Sequence, residues 1–112
     1  MVNTKPKQGS IMKLNLNPTK GHEQAGYRPV LVVNNASFSR ASNMIIVCPI
    51  TNTDRKNPLH VRLDGLITGF VMCDQVRVVD IRARDYNIVE TVDDNVLWEV
   101  CDILHGAVEP LH

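Results

Sequence analysis

The 112-residue sequence predicts a mainly β domain, in which a small, curled antiparallel sheet is followed by one C-terminal helix. Short runs of β-branched and aliphatic residues recur at intervals of roughly 8–12 residues, the pattern of small sheets and barrels. Residues 96–104 instead repeat their apolar side chains at helical spacing. The hydrophobic fraction of 44% is enough for one core in a chain of this length but not for two.

The first three predicted strands differ in how their apolar residues are arranged. Residues 11–16 alternate apolar and polar side chains, as does a strand that buries one face. Residues 29–33 form a short β-rich run that ends at two asparagines. Residues 44–50 are almost continuously apolar, which is typical of a central strand. Pro49 should then require a sheet edge or a bulge, because proline has no backbone N–H to donate.

Four more strands are predicted in the second half of the chain. Residues 59–63 alternate again, and a turn at residues 65–68 leads into a strand at residues 69–73. Two shorter strands are expected at residues 76–79 and 87–90. Together with the first three, they provide enough strands for the sheet to curl.

The C-terminal helix follows from the stripe at residues 96–104. Thr91 is its predicted N-cap, and Gly106 is the predicted stop. Trp98, on the same stripe, is expected to pack in the core or in a dimer interface. Residues 1–9 are polar and are predicted to be a flexible segment ahead of one domain at residues 10–112.

Composition limits the classes of partner. Equal numbers of basic and acidic side chains, 12 each, give no net charge, so a polyanion must be bound by basic groups gathered locally or across subunits. An aromatic content of 4% argues against a base-stacking platform. The three cysteines are widely spaced and are expected to be buried thiols in a reducing compartment. No apolar stretch suits a signal peptide or a membrane span, so a cytoplasmic location is expected.

Reactive side chains are concentrated in one loop between two apolar runs. Residues 17–29 read Asn-Pro-Thr-Lys-Gly-His-Glu-Gln-Ala-Gly-Tyr-Arg-Pro, so that a histidine, a glutamate, a glutamine and an arginine lie within seven positions. Binding and catalytic groups concentrate on such connections, because a rigid sheet can hold polar side chains at its surface without burying them. The loop is therefore the first candidate for a functional site.

Three segments, in this order, resemble motifs of the MazF/PemK (Kid) toxin family. Residues 17–29 resemble the first-loop motif of the family, and residues 48–51 (Cys-Pro-Ile-Thr) resemble its strand that ends in Pro-Ile-Thr. Residues 73–77 (Cys-Asp-Gln-Val-Arg), continuing to Arg84, resemble its Asp-Gln-x-Arg segment. The resemblance runs from about residue 9 to the final helix, which is nearly the whole chain.

The resemblance implies a homodimeric SH3-like barrel of the PemK/CcdB type. It also implies a toxin of a toxin-antitoxin system, which cleaves single-stranded mRNA in the cytoplasm at selected sequences until a cognate antitoxin blocks it. Members of the family let the ribose 2′-hydroxyl attack the adjacent phosphate, which leaves a 2′,3′-cyclic phosphate and a free 5′-hydroxyl. No cofactor or metal is expected, and neither DNA nor a membrane is an expected partner.

The resemblance also assigns site residues. Arg28 and Thr51 are implied to be the central catalytic pair, and the Kid-like branch adds His22 and Asp74. The further RNA-binding residues expected in the same motifs are Glu23, Gln24, Gln75, Arg77 and Arg84. That branch carries an arginine two positions before its aspartate, where this chain has Met72. Either Arg28 neutralises the phosphate alone, or Arg77 or a basic residue of the partner subunit substitutes.

The residue types fit attack by a 2′-hydroxyl, which needs a base, an acid and positive charge on the phosphate oxygens. The planar donor fork of Arg28 matches phosphate oxygens and stays charged. His22 can serve as acid or base near neutral pH. Asp74 takes the other part or orients a neighbour, and these alternatives stay open. The Thr51 hydroxyl can hydrogen-bond a phosphate oxygen or fix the arginine.

Each residue also has a structural interpretation. Arg28 could pair with Glu23 on the surface, Thr51 could merely end a strand, and His22 could be solvated. The Asp74 segment could form a polar network with Arg77 at a strand start. Two other functions remain as alternatives: a CcdB-like gyrase poison, which relies on a tryptophan near its C-terminus, and a non-catalytic RNA-binding SH3-like module.

Overall fold

A computed structural model describes residues 5–16 and 26–111 of the chain. The seven strands are β1 (Ser10–Asn15), β2 (Tyr27–Val32), β3 (Ile45–Thr51), β4 (His60–Asp64), β5 (Thr68–Met72), β6 (Arg77–Val79) and β7 (Tyr86–Thr91). The two helices are α1 (Ala36–Ser42) and α2 (Asp94–Val108), and single 3₁₀ turns follow β5 and β6 at Cys73–Gln75 and Ile81–Ala83. The predicted mainly β fold with a C-terminal helix is confirmed.

The sheet is antiparallel throughout, and β3 is its central strand. Its strands are arranged in the order β4-β5-β3-β2-β1-β7, and β6 pairs with β3 on the side that β5 also occupies. On that side β3 pairs with β6 over residues 45–47 and with β5 over residues 50–51, while its other side pairs with β2 over residues 47–49. One strand thus serves two partners in succession, and the sheet curls around it.

Both faces of this sheet are buried along much of their length. The first core lies under α2, whose Val100 is fully buried, and includes Ile11, Leu31, Cys48, Ile50, Val61, Leu63 and Val71. The second lies on the opposite face and includes Met12, Leu14, Leu16, Val30, Val32, Ile45, Val47 and Val79. Successive residues of a strand point to opposite faces, and β1, β2 and β3 contribute to both cores. Residues that pair across neighbouring strands therefore share a face.

The expectation that Pro49 requires an edge or a bulge is wrong. Pro49 is buried within β3 and pairs in register with Val30 of β2. On the opposite side of β3, the pairing with β6 ends at Val47 and the pairing with β5 begins at Ile50. Residue 49 lies in that gap between two partner strands, where a missing N–H breaks no ladder hydrogen bond.

The sequence pattern did not predict α1. This helix has no buried residue, so it carries no apolar stripe from which it could be recognised. It is held instead by side chains: Asn35 Oδ1 accepts from Phe38 N at 3.1 Å, and the Asn34 side-chain amide donates to Ser39 Oγ at 2.7 Å. Asn34 Oδ1 also accepts from Ile46 N at 2.8 Å, which ties the helix to β3. The two asparagines that end β2 therefore also start α1.

Both predicted ends of the C-terminal helix are wrong. Thr91 is the last residue of β7 and pairs with Ser10, and the N-cap is Asp93. Gly106 lies inside the helix, which ends after Val108. No atom of the described residues lies within 4 Å of a Cβ added at Gly106, so close packing does not require glycine at this position. Trp98 is 69% exposed, so it is not a core residue of this chain.

The N-terminal segment joins the sheet before residue 10. Gly9 N donates to Val32 O at 2.8 Å, Gly9 O accepts from Val92 N at 2.9 Å, and the Gln8 side-chain amide donates to Val33 O. These hydrogen bonds lie next to the predicted domain boundary between residues 9 and 10. The flexibility of residues 1–9 stays a prediction. No helix in the described ranges combines the length and the apolar character that a membrane crossing requires.

The predicted burial of the cysteines is confirmed for two of the three, and the reducing compartment stays a prediction. Cys48 and Cys73 are buried free thiols, and Cys101 is a half-buried free thiol. The hydrogen bond between the Cys48 and Cys73 thiols, together with burial, raises the pKa of Cys48. Burial, with the nearby Asp102 carboxylate, raises the pKa of Cys101. Thiols with raised pKa values are poor nucleophiles at neutral pH, so these two residues suit a structural role.

Candidate active site

Arg28 and Thr51 lie at the same end of two adjacent strands. Arg28 follows the first residue of β2, where it pairs with Leu14 of β1, and Thr51 is the last residue of β3. Val30 and Pro49 form the last pair between β2 and β3, and Arg28 and Thr51 each lie two residues beyond that pair toward the loop, on the same face of the sheet as the pair. The Arg28 residue is exposed, whereas Thr51 is only 7% exposed. Because residues two apart on a strand share a face, both side chains belong to one surface at the strand ends.

The Thr51 hydroxyl has a defined orientation. Its Oγ1 accepts a hydrogen bond from Thr53 N at 3.2 Å. A hydroxyl that accepts one bond keeps its own proton for donation, so Thr51 can donate to a phosphate oxygen or another acceptor. The backbone of Thr51 is held by its pairing with Phe70 and by the close approach of Gly69, whose added Cβ would lie 2.4 Å from Thr51 O.

Asp74 lies in the 3₁₀ turn directly after β5. Its Oδ1 is 2.9 Å from His60 Nε2, and its Oδ2 accepts a longer bond of 3.5 Å from the Asn57 side-chain amide. The Asp74 side chain is 34% exposed, whereas the His60 side chain is 4% exposed. Each carboxylate oxygen thus has a partner in the protein, while 34% of the side chain stays exposed and can meet a ligand.

Thr51 and His60 are on the same face of the sheet. Thr51 pairs with Phe70 of β5, and His60 of β4 pairs with Met72 of the same strand. Phe70 and Met72 are two residues apart and therefore point to one face. The face of the sheet that carries Thr51 therefore also carries His60, which is largely buried and contacts Asp74.

Two of the predicted RNA-binding arginines donate to the end of β1. Arg77 Nη1 donates to Leu16 O at 3.2 Å, and Arg84 Nη1 donates to Asn15 O at 2.6 Å. Leu16 N in turn donates to Gly26 O at 2.8 Å, across the base of the loop. A guanidinium has five N–H donors, so such a bond leaves others for a phosphate. The two arginines therefore hydrogen-bond the backbone just before the loop at residues 17–29. Their contact with RNA stays a prediction.

At position 72 the chain has a buried methionine in place of the arginine expected for the Kid-like branch. Methionine carries no charge, so position 72 does not supply the second cation that the resemblance to that branch implies. The Met72 side chain is fully buried. Arg62, which the sequence reasoning missed, pairs with Phe70 and so lies on the same face as Thr51, two strands away. It is 74% exposed and forms an ion pair with Asp64 at 3.3 Å. Its signal was the alternation of residues 59–63, which puts polar side chains on one face.

Several predicted residues lie elsewhere or beyond the described ranges. His22, Glu23 and Gln24 lie outside the described residues, and Gln75 is half-buried in the turn that holds Asp74. The polar network expected between the Asp74 segment and Arg77 has other partners: Asp74 is held by His60 and Asn57, whereas Arg77 donates to Leu16 O. Within residues 5–16 and 26–111, no three His, Cys, Asp or Glu side chains come together as metal ligands would.

Arg82 is committed to a neighbouring carboxylate. Its Nε and Nη2 donate to the two oxygens of Asp80 at 2.9 and 2.8 Å. These hydrogen bonds lower the pKa of Asp80 to about 2. An open cavity of about 520 Å³ adjoins this pair, and its lining includes Lys5, Arg84 and Tyr86. Basic groups beside an aromatic ring suit a nucleotide, although neither Arg28 nor Thr51 lines this cavity.

Comparison with known proteins identifies the family. Residues 7–107 match the family model of the PemK-like, MazF-like toxin of type II toxin-antitoxin systems. The chain belongs to this family. Endoribonuclease PemK of Escherichia coli is 41% identical over 99 residues, which cover 83% of this chain and 74% of that protein. The resemblance drawn from the three sequence motifs is thereby confirmed.

Solved structures of the family share the fold. MazF of Deinococcus radiodurans superposes on this chain with a TM-score of 0.87 at 30% identity. The match covers 96% of this chain and 100% of that chain. A MazE-MazF structure from the same organism gives a TM-score of 0.80 at 30% identity, covering 95% of this chain and 97% of that chain. The predicted fold of the PemK/MazF toxins is therefore confirmed.

Proposed function

We propose that the chain is the toxin of a toxin-antitoxin system and a metal-independent endoribonuclease that cleaves single-stranded mRNA at selected sequences. The observation that carries the proposal is that the exposed Arg28 and the Thr51 hydroxyl belong to the ends of two adjacent strands, each two residues beyond the Val30–Pro49 pair. An exposed arginine beside a fixed hydroxyl suits a phosphate group. The endoribonuclease activity named for the PemK relative supports the same conclusion.

In the proposed reaction, the 2′-oxygen of one ribose attacks the adjacent phosphorus. A bond from O2′ to phosphorus forms, the bond to O5′ breaks, and the products are a 2′,3′-cyclic phosphate and a 5′-hydroxyl. The proton of the 2′-hydroxyl goes to a base, and an acid supplies the proton of the leaving 5′-oxygen. Arg28 stabilises the charge that develops on the phosphate oxygens, and Thr51 donates to one of them. Asp74 and His22 are the candidate proton-transfer groups.

The proposed partners follow from the family and from the surface. The MazE-MazF structures of D. radiodurans support a cognate antitoxin as a partner, and its proposed binding place is the RNA-binding surface. Glu23, Gln24, Gln75, Arg77 and Arg84 are the proposed RNA contacts, and the cavity beside Arg84 can accept a flanking nucleotide. We include a homodimer, because a chain without net charge needs a local cationic groove to hold RNA. The cytoplasm, where mRNA is available, is the proposed location.

Cleavage in a chelator tests the proposed reaction. The purified protein is incubated with a defined single-stranded RNA in excess EDTA, and the ends of the fragments are mapped. We expect cleavage to persist and to leave cyclic phosphate and 5′-hydroxyl ends. RNA that is bound but stays intact would support the non-catalytic RNA-binding module. Protein that neither binds nor cuts RNA but inhibits gyrase would support the CcdB-like alternative, although Trp98 lies within α2 rather than at the C-terminus.

The role of the Thr51 hydroxyl can be isolated with two substitutions. Thr51→Val removes the hydroxyl at nearly constant volume and is expected to lower kcat by about 10-fold, since one hydrogen bond to the transition state is lost. Thr51→Ser keeps the hydroxyl and should retain most of the activity. Loss of the acceptor for Thr53 N should cost about 1 kcal/mol of stability in the valine variant alone. Equal single-turnover rates for both variants would contradict the assignment.

A further inference from the structure

We propose that His60 is a positioning residue that fixes the Asp74 carboxylate for proton transfer, an inference that rests on the proposed function. His60 lies in none of the three family motifs, at residues 17–29, 48–51 and 73–84. It comes from β4, whereas Asp74 belongs to the turn after β5. The proposal depends on the geometry of the pair, on the burial of the imidazole and on the hydrogen-bonding state of its two nitrogens.

The hydrogen bond from His60 is the stronger of the two that hold Asp74. His60 Nε2 is 2.9 Å from Oδ1, while the Asn57 amide is 3.5 Å from Oδ2, near the limit for a hydrogen bond. The His60 side chain is 4% exposed, so its ring is fixed by packing, whereas Asp74 is 34% exposed. A buried donor thus controls the rotation of a carboxylate that reaches solvent.

The second nitrogen of the ring decides where its proton lies. Among residues 5–16 and 26–111, which the structure describes, the buried His60 Nδ1 has no hydrogen-bond partner. A proton on Nδ1 would be a buried donor without an acceptor, and it would leave the Nε2 lone pair facing a carboxylate oxygen. Both arrangements are unfavourable. The neutral ring therefore carries its proton on Nε2 and donates a hydrogen bond from that nitrogen to Asp74. The hydrogen bond to Asp74 is thus the interaction that selects the tautomer.

The backbone around the pair is held without the imidazole. Cys73 N donates to Leu59 O at 3.1 Å, and Leu59 N donates to Asn57 Oδ1 at 2.8 Å. These bonds join the residues that precede His60 to the turn that carries Asp74. Removal of the ring should therefore release the Asp74 side chain while the turn stays in place. What His60 contributes is the orientation of the carboxylate, which can then accept a proton on its solvent-facing side.

Two substitutions separate positioning from packing. His60→Leu fills similar space without a donor, and His60→Gln places an amide N–H near the position of Nε2. We expect kcat in the leucine variant to fall by about 10- to 100-fold, the usual effect of a misplaced catalytic group, with KM within about 2-fold. The glutamine variant should recover most of that loss. A leucine variant that is folded and retains the wild-type kcat would overturn the proposal.

A double-mutant cycle tests whether His60 acts through Asp74. Asp74→Asn removes the carboxylate, so the further change His60→Leu should alter kcat by less than about 2-fold in that background. Independent effects that multiply in the double variant would mean that His60 does not work through Asp74. Circular dichroism and urea unfolding of every variant distinguish a loss of folded protein from a loss of rate per folded molecule.

A measurement without RNA tests the pair separately from the proposed function. In ¹⁵N NMR spectra of the wild-type protein, the His60 ring should show a protonated Nε2 and an unprotonated Nδ1, and Asp74→Asn should shift the Nε2 resonance. A proton on Nδ1 of the neutral ring would overturn the inference. If the wild-type protein shows this tautomer but cuts no RNA, the pair stands as described and the proposed nuclease function fails instead.

Discussion

Replacement of Arg28 by alanine is expected to lower kcat/KM for RNA cleavage by about 10²- to 10³-fold, the usual effect of removing one preorganised donor to a developing oxyanion. Arg28 is exposed near the start of β2, so the substitution should change the free energy of unfolding by no more than about 0.5 kcal/mol. Arg28→Lys keeps the charge but loses the planar donor fork, and an intermediate rate is expected. Single-turnover cleavage of a short RNA provides the measurement.

Lys13→Ala is the matched control for Arg28. Lys13 is an exposed cation on β1 and pairs with Pro29, the residue next to Arg28, so it belongs to the opposite face of the same end of the sheet. Its removal lowers the charge by the same amount but should leave cleavage within about 3-fold of wild type, because an exposed charge outside the site acts only through long-range, screened attraction. Wild-type cleavage by Arg28→Ala, or an equal loss in both variants, would contradict the site assignment.

Substitution of Gly69 by alanine is expected to destabilise the protein by roughly 2–5 kcal/mol. Gly69 has φ near +138°, a conformation that L side chains rarely adopt. An added Cβ would lie 2.4 Å from Thr51 O and 3.2 Å from the Thr51 carbonyl carbon. Backbone atoms cannot move aside as a flexible side chain can, so β3 and β5 would have to separate. Urea unfolding monitored by circular dichroism measures the change.

Gly106→Ala is the control for Gly69, because the chemical change is the same and the environment is open. Gly106 is inside α2, and in the part of the chain that the structure describes no atom lies within 4 Å of a Cβ added there. Alanine is the better helix former, so this variant should be more stable by about 0.5–1 kcal/mol. The refolded fraction of Gly69→Ala should also cleave RNA slowly, since Thr51 is displaced. A Gly69 variant within about 1 kcal/mol of wild type would mean that the two strands do not approach so closely in solution.

Local pattern predicted most of the strands and the main helix. The alternation at residues 11–16 corresponds to β1, and the stripe at residues 96–104 lies within α2, because periodicity records which side chains face a core. Where the elements end was less predictable. Thr91 has the chemistry of a cap but is the last residue of β7, and Pro49 lies in a central strand because two partners meet there. Long-range pairing overrides such local preferences.

The candidate site divides in the same way. The sequence by itself identified Arg28, Thr51 and Asp74, because their neighbours in the chain carry the family motifs, and comparison confirmed the family. Only the tertiary structure showed that His60 Nε2 lies 2.9 Å from Asp74 Oδ1 and that Arg62 shares a face with Thr51. Those relations depend on strand register, which joins residues far apart in the chain. A side chain's type and nearest neighbours in sequence carry no record of the strand that will lie beside it.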